Sequence, residues 1–261
     1  MAVSPSTGTE GAQTVRRALA LLRLVATGQE FGLRLTDLAA MSGLSRPTVH
    51  RLLKVLIDES AVEQDADSRR YRIGPEMLLL GLARGSGFPI RAVADPMLRA
   101  LSQQVGDTVF LSVRHGADSV CIARHLGHHA IQVLSIDVGA RRPLGASVSG
   151  VVLLAALGAA DSRATTLANA ARLQRLGLDP VQVLKRVQAA RTTRHAYAEH
   201  GVMKGTSALA VPVLDAAGQV VAAISIAAMA ERLHRKRCAE VLAQMQLQSA
   251  AVTRRLKELA Q

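Results

Sequence analysis

Apolar residues recur at helical spacing from Val15, and Val15, Ala18, Leu19, Leu22 and Val25 mark an inward face on a first predicted helix, Val15–Ala26. Leu35 to Met41 repeats that period with Leu35, Leu38 and Ala39, and Gly43 breaks it, because a residue without Cβ takes the left-handed backbone that ends a helix. Ser45 is a good N-cap for the next helix, and Pro47 falls in its first turn, where a missing N–H costs nothing. Val49, Leu52, Leu53 and Leu56 then form one apolar stripe. After Ser60 the period shortens to that of strands in two runs, Ala61–Gln64 and Arg70–Ile73, divided by the turn-forming Asp65, Ala66, Asp67 and Ser68. A helix, a sharp turn, a second helix and a hairpin in this order outline a winged helix-turn-helix.

Pro75 opens a short helix, Glu76–Ala83, ended by Gly85, Ser86, Gly87 and Pro89, which suits a linker. A helix over Ile90–Val105 follows. Strand patterns then cover Thr108–His115, Ser119–Arg124 and Ala130–Ile136, and later Ala208–Leu214 and Val220–Ala227. His115–Asp118 and Asp215–Gly218 read as hairpin turns. Helices are expected at Ser149–Leu157, near Pro180–Thr192 and from about Arg235 to Leu259. Strands with segregated helices predict an α+β domain built on an antiparallel sheet. The expected division is a disordered Ser/Thr/Gly-rich tail (1–12), a DNA-binding domain (13–74), a linker helix (75–89) and a second domain (90–261) for effector binding and oligomerisation.

The chain has 261 residues, 49% of them hydrophobic, enough for two moderate domains with real cores. No apolar run reaches the length of a membrane span and the N-terminus lacks the order of a secretory signal, so a cytoplasmic protein with no membrane partner is expected. Two cysteines, Cys121 and Cys238, make neither a disulfide framework nor a CxxC metal pair. The net charge of +12 lies mainly outside the winged helix, since residues 1–90 hold 11 Lys/Arg against 9 Asp/Glu and residues 91–261 hold 21 against 11. Charge alone is therefore weak evidence for nucleic-acid binding, and the positions of individual cations carry the argument.

Those positions favour duplex DNA. Arg46, Thr48, His50, Arg51 and Lys54 lie opposite the stripe of the second helix, where side chains reach phosphates and base edges in the major groove. Ser45 at its head and Thr36 at the start of the preceding helix join them as candidate contacts, and Arg69, Arg70 and Arg72 would let the wing lie along the backbone or minor groove. With aromatics at 2% and no Trp, stacking on single-stranded bases is disfavoured.

Three stretches together resemble the IclR family of bacterial transcriptional regulators: LSRPTVHRLLKVLIDESAVEQD followed by RYRIG, GARRPLGASVSGVVLLAAL (139–157), and AYAEHGVMKGTSALAVPVLDAAGQVVAAISIA (196–227). The resemblance runs from about residue 13 to 257. It implies a homodimer or dimer of dimers on a roughly palindromic operator, with a C-terminal domain related to GAF sensor domains that holds a small organic acid. It further implies that Leu144, Gly145, Ala146 and Ser147 line the pocket, faced by Ser207 and Ala208 and by Ser225 and Ala227 from two strands. Gly145 stands where the family often has His, Val151 where it has Lys, and Ala208 and Ala227 replace a common Cys and Ser. Such a pocket is less polar than the pattern, which favours an aromatic or partly apolar acid over short, very polar ones.

Other constellations are weaker. His115, His125, His128 and His129 match no common metal spacing, and the run Arg232, His234, Arg235, Lys236, Arg237 reads as a charged loop before the last helix. Serines and histidines are plentiful, but none sits in GxSxG or HExxH and no phosphate-binding glycine motif occurs, so neither enzyme nor cofactor is expected. The alternative is an effector-independent DNA-binding protein whose second domain serves only assembly.

Overall fold

The computed structural model describes residues 10–28, 31–83 and 89–259 and divides into two compact units that meet between residues 87 and 88. Most of the predicted tail and the expected helix end at Gly85, Ser86 and Gly87 lie outside the described residues. No helix among the described residues is long and apolar enough to cross a membrane.

The first unit packs three helices, α1 (Glu10–Thr27), α2 (Leu35–Ser42) and α3 (Arg46–Asp58), against a hairpin of β1 (Val62–Gln64) and β2 (Tyr71–Ile73). Leu21, Val25, Leu38, Val49, Leu53, Val62 and Tyr71 form its core. Helix α1 begins at Glu10, inside the expected tail, and its inward face differs from the expected one: Val15 and Leu19 are exposed, while Leu21 is buried beside Val25. Residues 11–17 are exposed, so the buried face of the helix lies in its second half, from Leu21. Gly43 ends α2 at φ +68°, donating to the Ala39 carbonyl at 3.1 Å. This left-handed cap makes the reversal into α3 cheap. Leu33 adds a bridge to Tyr71, giving the wing a third strand position. Helix α4 (Pro75–Ala83) closes the unit and exposes Leu78, Leu79 and Leu80.

The second unit is a six-stranded antiparallel sheet in the order β5-β4-β3-β8-β7-β6. Its strands are β3 (Thr108–His115), β4 (Asp118–His125), β5 (Arg141–Pro143), β6 (Ala196–Ala198), β7 (Thr206–Leu214) and β8 (Val220–Met229). Alternation gives the sheet two unlike faces. Val109, Leu111, Leu209, Val211, Ile224 and Ile226 belong to one core with residues of α5 (Pro89–Val105) and α10 (Arg235–Glu258). Apart from Phe110, the intervening positions at the centre of the sheet are small: Ala210 and Ala223 pack with α6 (Val148–Ala155) and α9 (Pro180–Thr193), and Ser225 lies across from Phe110. Small side chains let α6 approach so closely that seven of its eight residues are buried. Two short helices, α7 (Ala159–Ala168) and α8 (Ala170–Arg175), join α6 to α9.

One predicted strand is absent. Residues 126–140, which include the expected Ala130–Ile136, form an irregular strap between β4 and β5. Gln132 holds it through its side chain: Oε1 accepts from Thr108 Oγ1 and Gly127 N, and Nε2 donates to the carbonyls of Gly106 and His129. These bonds satisfy neighbouring loops in place of a strand ladder.

Candidate DNA-contact surface and ligand cavity

Helix α3 leaves the candidate cations free to reach outward. Arg46, His50, Arg51 and Lys54 are exposed, Thr48 is half-buried, and Val49 and Leu53 anchor the opposite side. Ser45 occupies the N-cap, but its hydroxyl lies 2.9 Å from Thr48 Oγ1 and makes no bond to the helix backbone. Thr36 is exposed in the first turn of α2, where Asp37 accepts the Arg34 N–H at 3.0 Å.

The wing arginines divide. Arg69 is exposed, held at φ +55° at the tip of the turn. Arg70 donates to the Gly32 carbonyl at 3.0 Å, and Arg72 pairs with Glu63 and Asp65 at 3.3 and 3.1 Å. Their proximity in sequence suggested a common outward cluster, yet two of the three brace the hairpin. Asp65 also accepts the backbone N–H and the hydroxyl of Ser68. Those bonds, with the Arg72 guanidinium, hold its carboxyl below the ordinary carboxylate value.

In the second unit a cavity of about 160 Å³ opens between the small-residue face of the sheet, the start of α6, α9 and the strap. Five of the eight expected positions line it: Ala146, Ser147, Ala208, Ser225 and Ala227. Leu144, Gly145 and Ser207 do not. Leu144 is fully buried in the core under α6. Gly145 has φ +94° and turns toward α9, where a Cβ would stand 2.5 Å from Val183 Cγ1. Ser207 precedes Ala208 on the same strand, so only one of the two can face the cavity, and the Ser207 hydroxyl instead donates to the Glu199 carbonyl at 2.8 Å.

Ser147 caps α6, its Oγ accepting the Gly150 N–H at 3.1 Å and lying 3.0 Å from Ser149 Oγ. The first N–H groups of that helix therefore lie beside the cavity wall, at the positive end of its dipole. Phe110, Ile136 and the three alanines supply an apolar lining.

Sequence reasoning missed the cavity's two cations, Arg142 from β5 and Arg186 from α9, and did not place His200 there as a lining residue. Arg142 donates to the Ser135 carbonyl of the strap at 3.2 Å. Arg186 has no hydrogen bond or ion pair within the described residues, unlike Arg191 one turn later, which donates to Ala155 O, Leu157 O and Ser162 Oγ. Burial lowers the pKa of both cavity arginines. Among the described residues no carboxylate lines the cavity. A legible signal existed: Arg186 falls among Val183, Val187 and Ala190, which are buried at helical spacing, so it interrupts an inward stripe.

The histidines are occupied separately. His125 lies 3.0 Å from Asp95 Oδ1, and His129 Nδ1 accepts from Ile131 N. His115 is 3.1 Å from Arg141. No cluster among the described residues could hold a metal ion. The basic run expected as a loop before the last helix extends into the first turn of α10, and its Arg232 and Arg237 both turn inward onto Asp107, at 2.8 and 2.6 Å.

A helix-turn-helix unit joined to a second unit with a lined cavity is the plan of a transcriptional regulator. The match to known families makes the class specific: residues 14–66 match the IclR helix-turn-helix domain and residues 85–254 the C-terminal domain of IclR bacterial transcriptional regulators, so the chain belongs to the IclR family. It is 32% identical to the glycerol operon regulatory protein of Streptomyces coelicolor over 86% of this chain and 87% of that one. It is 30% identical to the HTH-type transcriptional regulator XynR of Escherichia coli over 94% and 97%. An IclR homologue from Microbacterium hydrocarbonoxydans, solved in complex with 4-hydroxybenzoate, shares the fold with a TM-score of 0.70 at 20% identity, covering 94% of this chain and 99% of that one. The family consists of transcriptional regulators, not enzymes.

Proposed function

We propose that this chain is a cytoplasmic, ligand-responsive regulator that binds a roughly palindromic duplex operator as a homodimer or dimer of dimers and senses a small organic acid. The observation that carries the sensing half is Arg186, a partly buried guanidinium on a cavity wall with no anionic partner among the described residues. A guanidinium in that setting favours a carboxylate, which it can hold by two parallel charge-assisted bonds. The hydroxyls of Ser147, Ser149 and Ser225 and the start of α6 add orienting dipoles. An apolar cavity of about 150 Å³ accepts benzene, so about 160 Å³ suits one ring or a short carbon chain. The antiparallel sheet with helices on both faces is the architecture expected of a GAF-like sensor.

The DNA half rests on α3, whose Arg46, His50, Arg51 and Lys54 are the exposed candidates for base and phosphate contacts, with Arg69 at the wing tip. Paired half-sites would lie about 34 Å apart, one turn of the duplex. Acid binding would shift the population of DNA-competent arrangements, and a coupling of about 1–3 kcal/mol changes affinity 5- to 150-fold.

A gel-shift titration against the upstream intergenic DNA, with competitor DNA and a panel of aliphatic and aromatic acids, tests both halves. The expected result is a discrete shift that one acid alters and that Arg51→Ala weakens by at least tenfold, the loss of a base or phosphate contact. A discrete shift that no acid changes would favour the effector-independent alternative, and a shift indifferent to Arg51→Ala would refute the assigned reading face.

A further inference from the structure

The cavity holds more positive charge than one carboxylate can balance. Arg142 reaches it from β5 and Arg186 from α9, and no Asp or Glu among the described residues lines it. Arg142 spends one bond on the Ser135 carbonyl, which leaves most of its five N–H donors for a ligand. Arg186 spends none within the described residues. Arg142 stands on β5 at one edge of the sheet, while α9, which carries Arg186, packs with β6 at the other; the cavity lining includes Phe110, Ala146, Ala208 and Ala227 along with its serines.

We propose that the ligand is a dicarboxylate with its two anionic ends separated by a short hydrocarbon spacer, one end held by Arg186 and the other by Arg142. This rests on the acid-sensing reading above and narrows it. A monocarboxylate would leave one guanidinium in a partly desolvated site without a counter-anion, which is costly. A molecule with both charges on one group would satisfy two guanidiniums on different elements less well and would leave the alanine wall against a polar head. The volume sets the spacer. A cavity near that of benzene takes about four to six carbons in all, which describes succinate through adipate, with Ser147 and Ser225 available to the carboxylates.

The test uses the full chain and isothermal titration at about 0.15 M salt. Succinate, glutarate and adipate are compared with butyrate, valerate and hexanoate, and with propyl phosphate as a single-headed dianion. At least one dicarboxylate is expected to bind about tenfold or more tightly than its equal-length monocarboxylate, the worth of one added charge-assisted contact. Arg142→Gln and Arg186→Gln are each expected to reduce that preference to about threefold or less, the residue of a lost charge pair. Arg142→Lys, which keeps the charge without the fork, should retain part of it and guards against a variant that fails to fold. Equal affinity for both series would overturn the dicarboxylate assignment and leave acid sensing standing. Preference for propyl phosphate would overturn it in favour of a single-headed ligand. Binding of none of these acids, nor of any acid in the gel-shift panel, would remove both readings.

Discussion

Gly145→Ala probes the joint between the cavity rim and α9. Gly145 sits at φ +94°, a backbone angle that costs an L-residue about 1–3 kcal/mol. Its added Cβ would meet Val183 Cγ1 at 2.5 Å, and Val183 is 1% exposed, so the valine has no room to retreat. Overpacking of that kind costs about 1–3 kcal/mol more. The expected loss is about 3–4 kcal/mol, with contributions from both terms. Val183→Ala alone should cost about 2 kcal/mol for the lost methyls and the space they leave. In the double variant the missing Cγ1 removes the contact while the backbone strain persists, so the total should fall short of the sum by about 1–2 kcal/mol. Urea unfolding followed by far-UV circular dichroism measures all three, read on the transition of the second unit. Additivity to within about 0.5 kcal/mol would refute the contact as the cause, and a Gly145→Ala loss below about 1 kcal/mol would refute the strain as well.

Asp107→Ala should destabilise the second unit by roughly 2–4 kcal/mol in the same assay, because it strands Arg232 and Arg237 beside a site where the carboxylate is 2% exposed. Asp65 titrates below its ordinary value of 3.8, so its contribution to the wing is present above that pH and lost as pH falls through its lower folded value. The Ser68 amide resonance should follow that loss, and Asp65→Asn should abolish the titration. Burial pushes the Cys121 thiol up to about 12, and Cys238 is raised less, so iodoacetamide at pH 8 should modify Cys238 first; the reverse order in peptide mapping would contradict the burial assigned to Cys121.

The elements legible in the sequence were those with an apolar repeat or run bounded by turn residues. The α2–α3 pair repeats its apolar positions at helical spacing, the hairpin is marked by the turn after Asp65, and β3, β7 and β8 are nearly continuous buried runs. Helix α7 has neither: its buried residues are Ser162 and Thr166, so no apolar stripe announced it. Strands β5 and β6 span three residues each and, unlike the equally short β1 and β2, are not paired across a tight turn of Asp and Ser residues that would mark them. The strap misled in the other direction. Ile131 and Val133 alternate with polar neighbours as a strand would, but Ile131 is exposed and the Gln132 side chain replaces the ladder. At the cavity, the small residues were legible through the likeness to the family and Arg186 through its place in the inward stripe of α9, whereas Arg142 depends on which way a three-residue strand turns.

The unlike faces of the sheet give the molecule an uneven tolerance to change. In β8, Ile224 and Ile226 carry cohesion while Ser225 and Ala227 line the cavity, and Ile226 also borders it. Point substitutions at 225 or 227 therefore reshape the cavity lining while the adjacent isoleucines keep the domain folded. A single-residue insertion or deletion in the same strand would exchange the two sets, placing isoleucine in the cavity and serine against α10. Descendants of this chain can reshape the cavity by replacement but not by slippage.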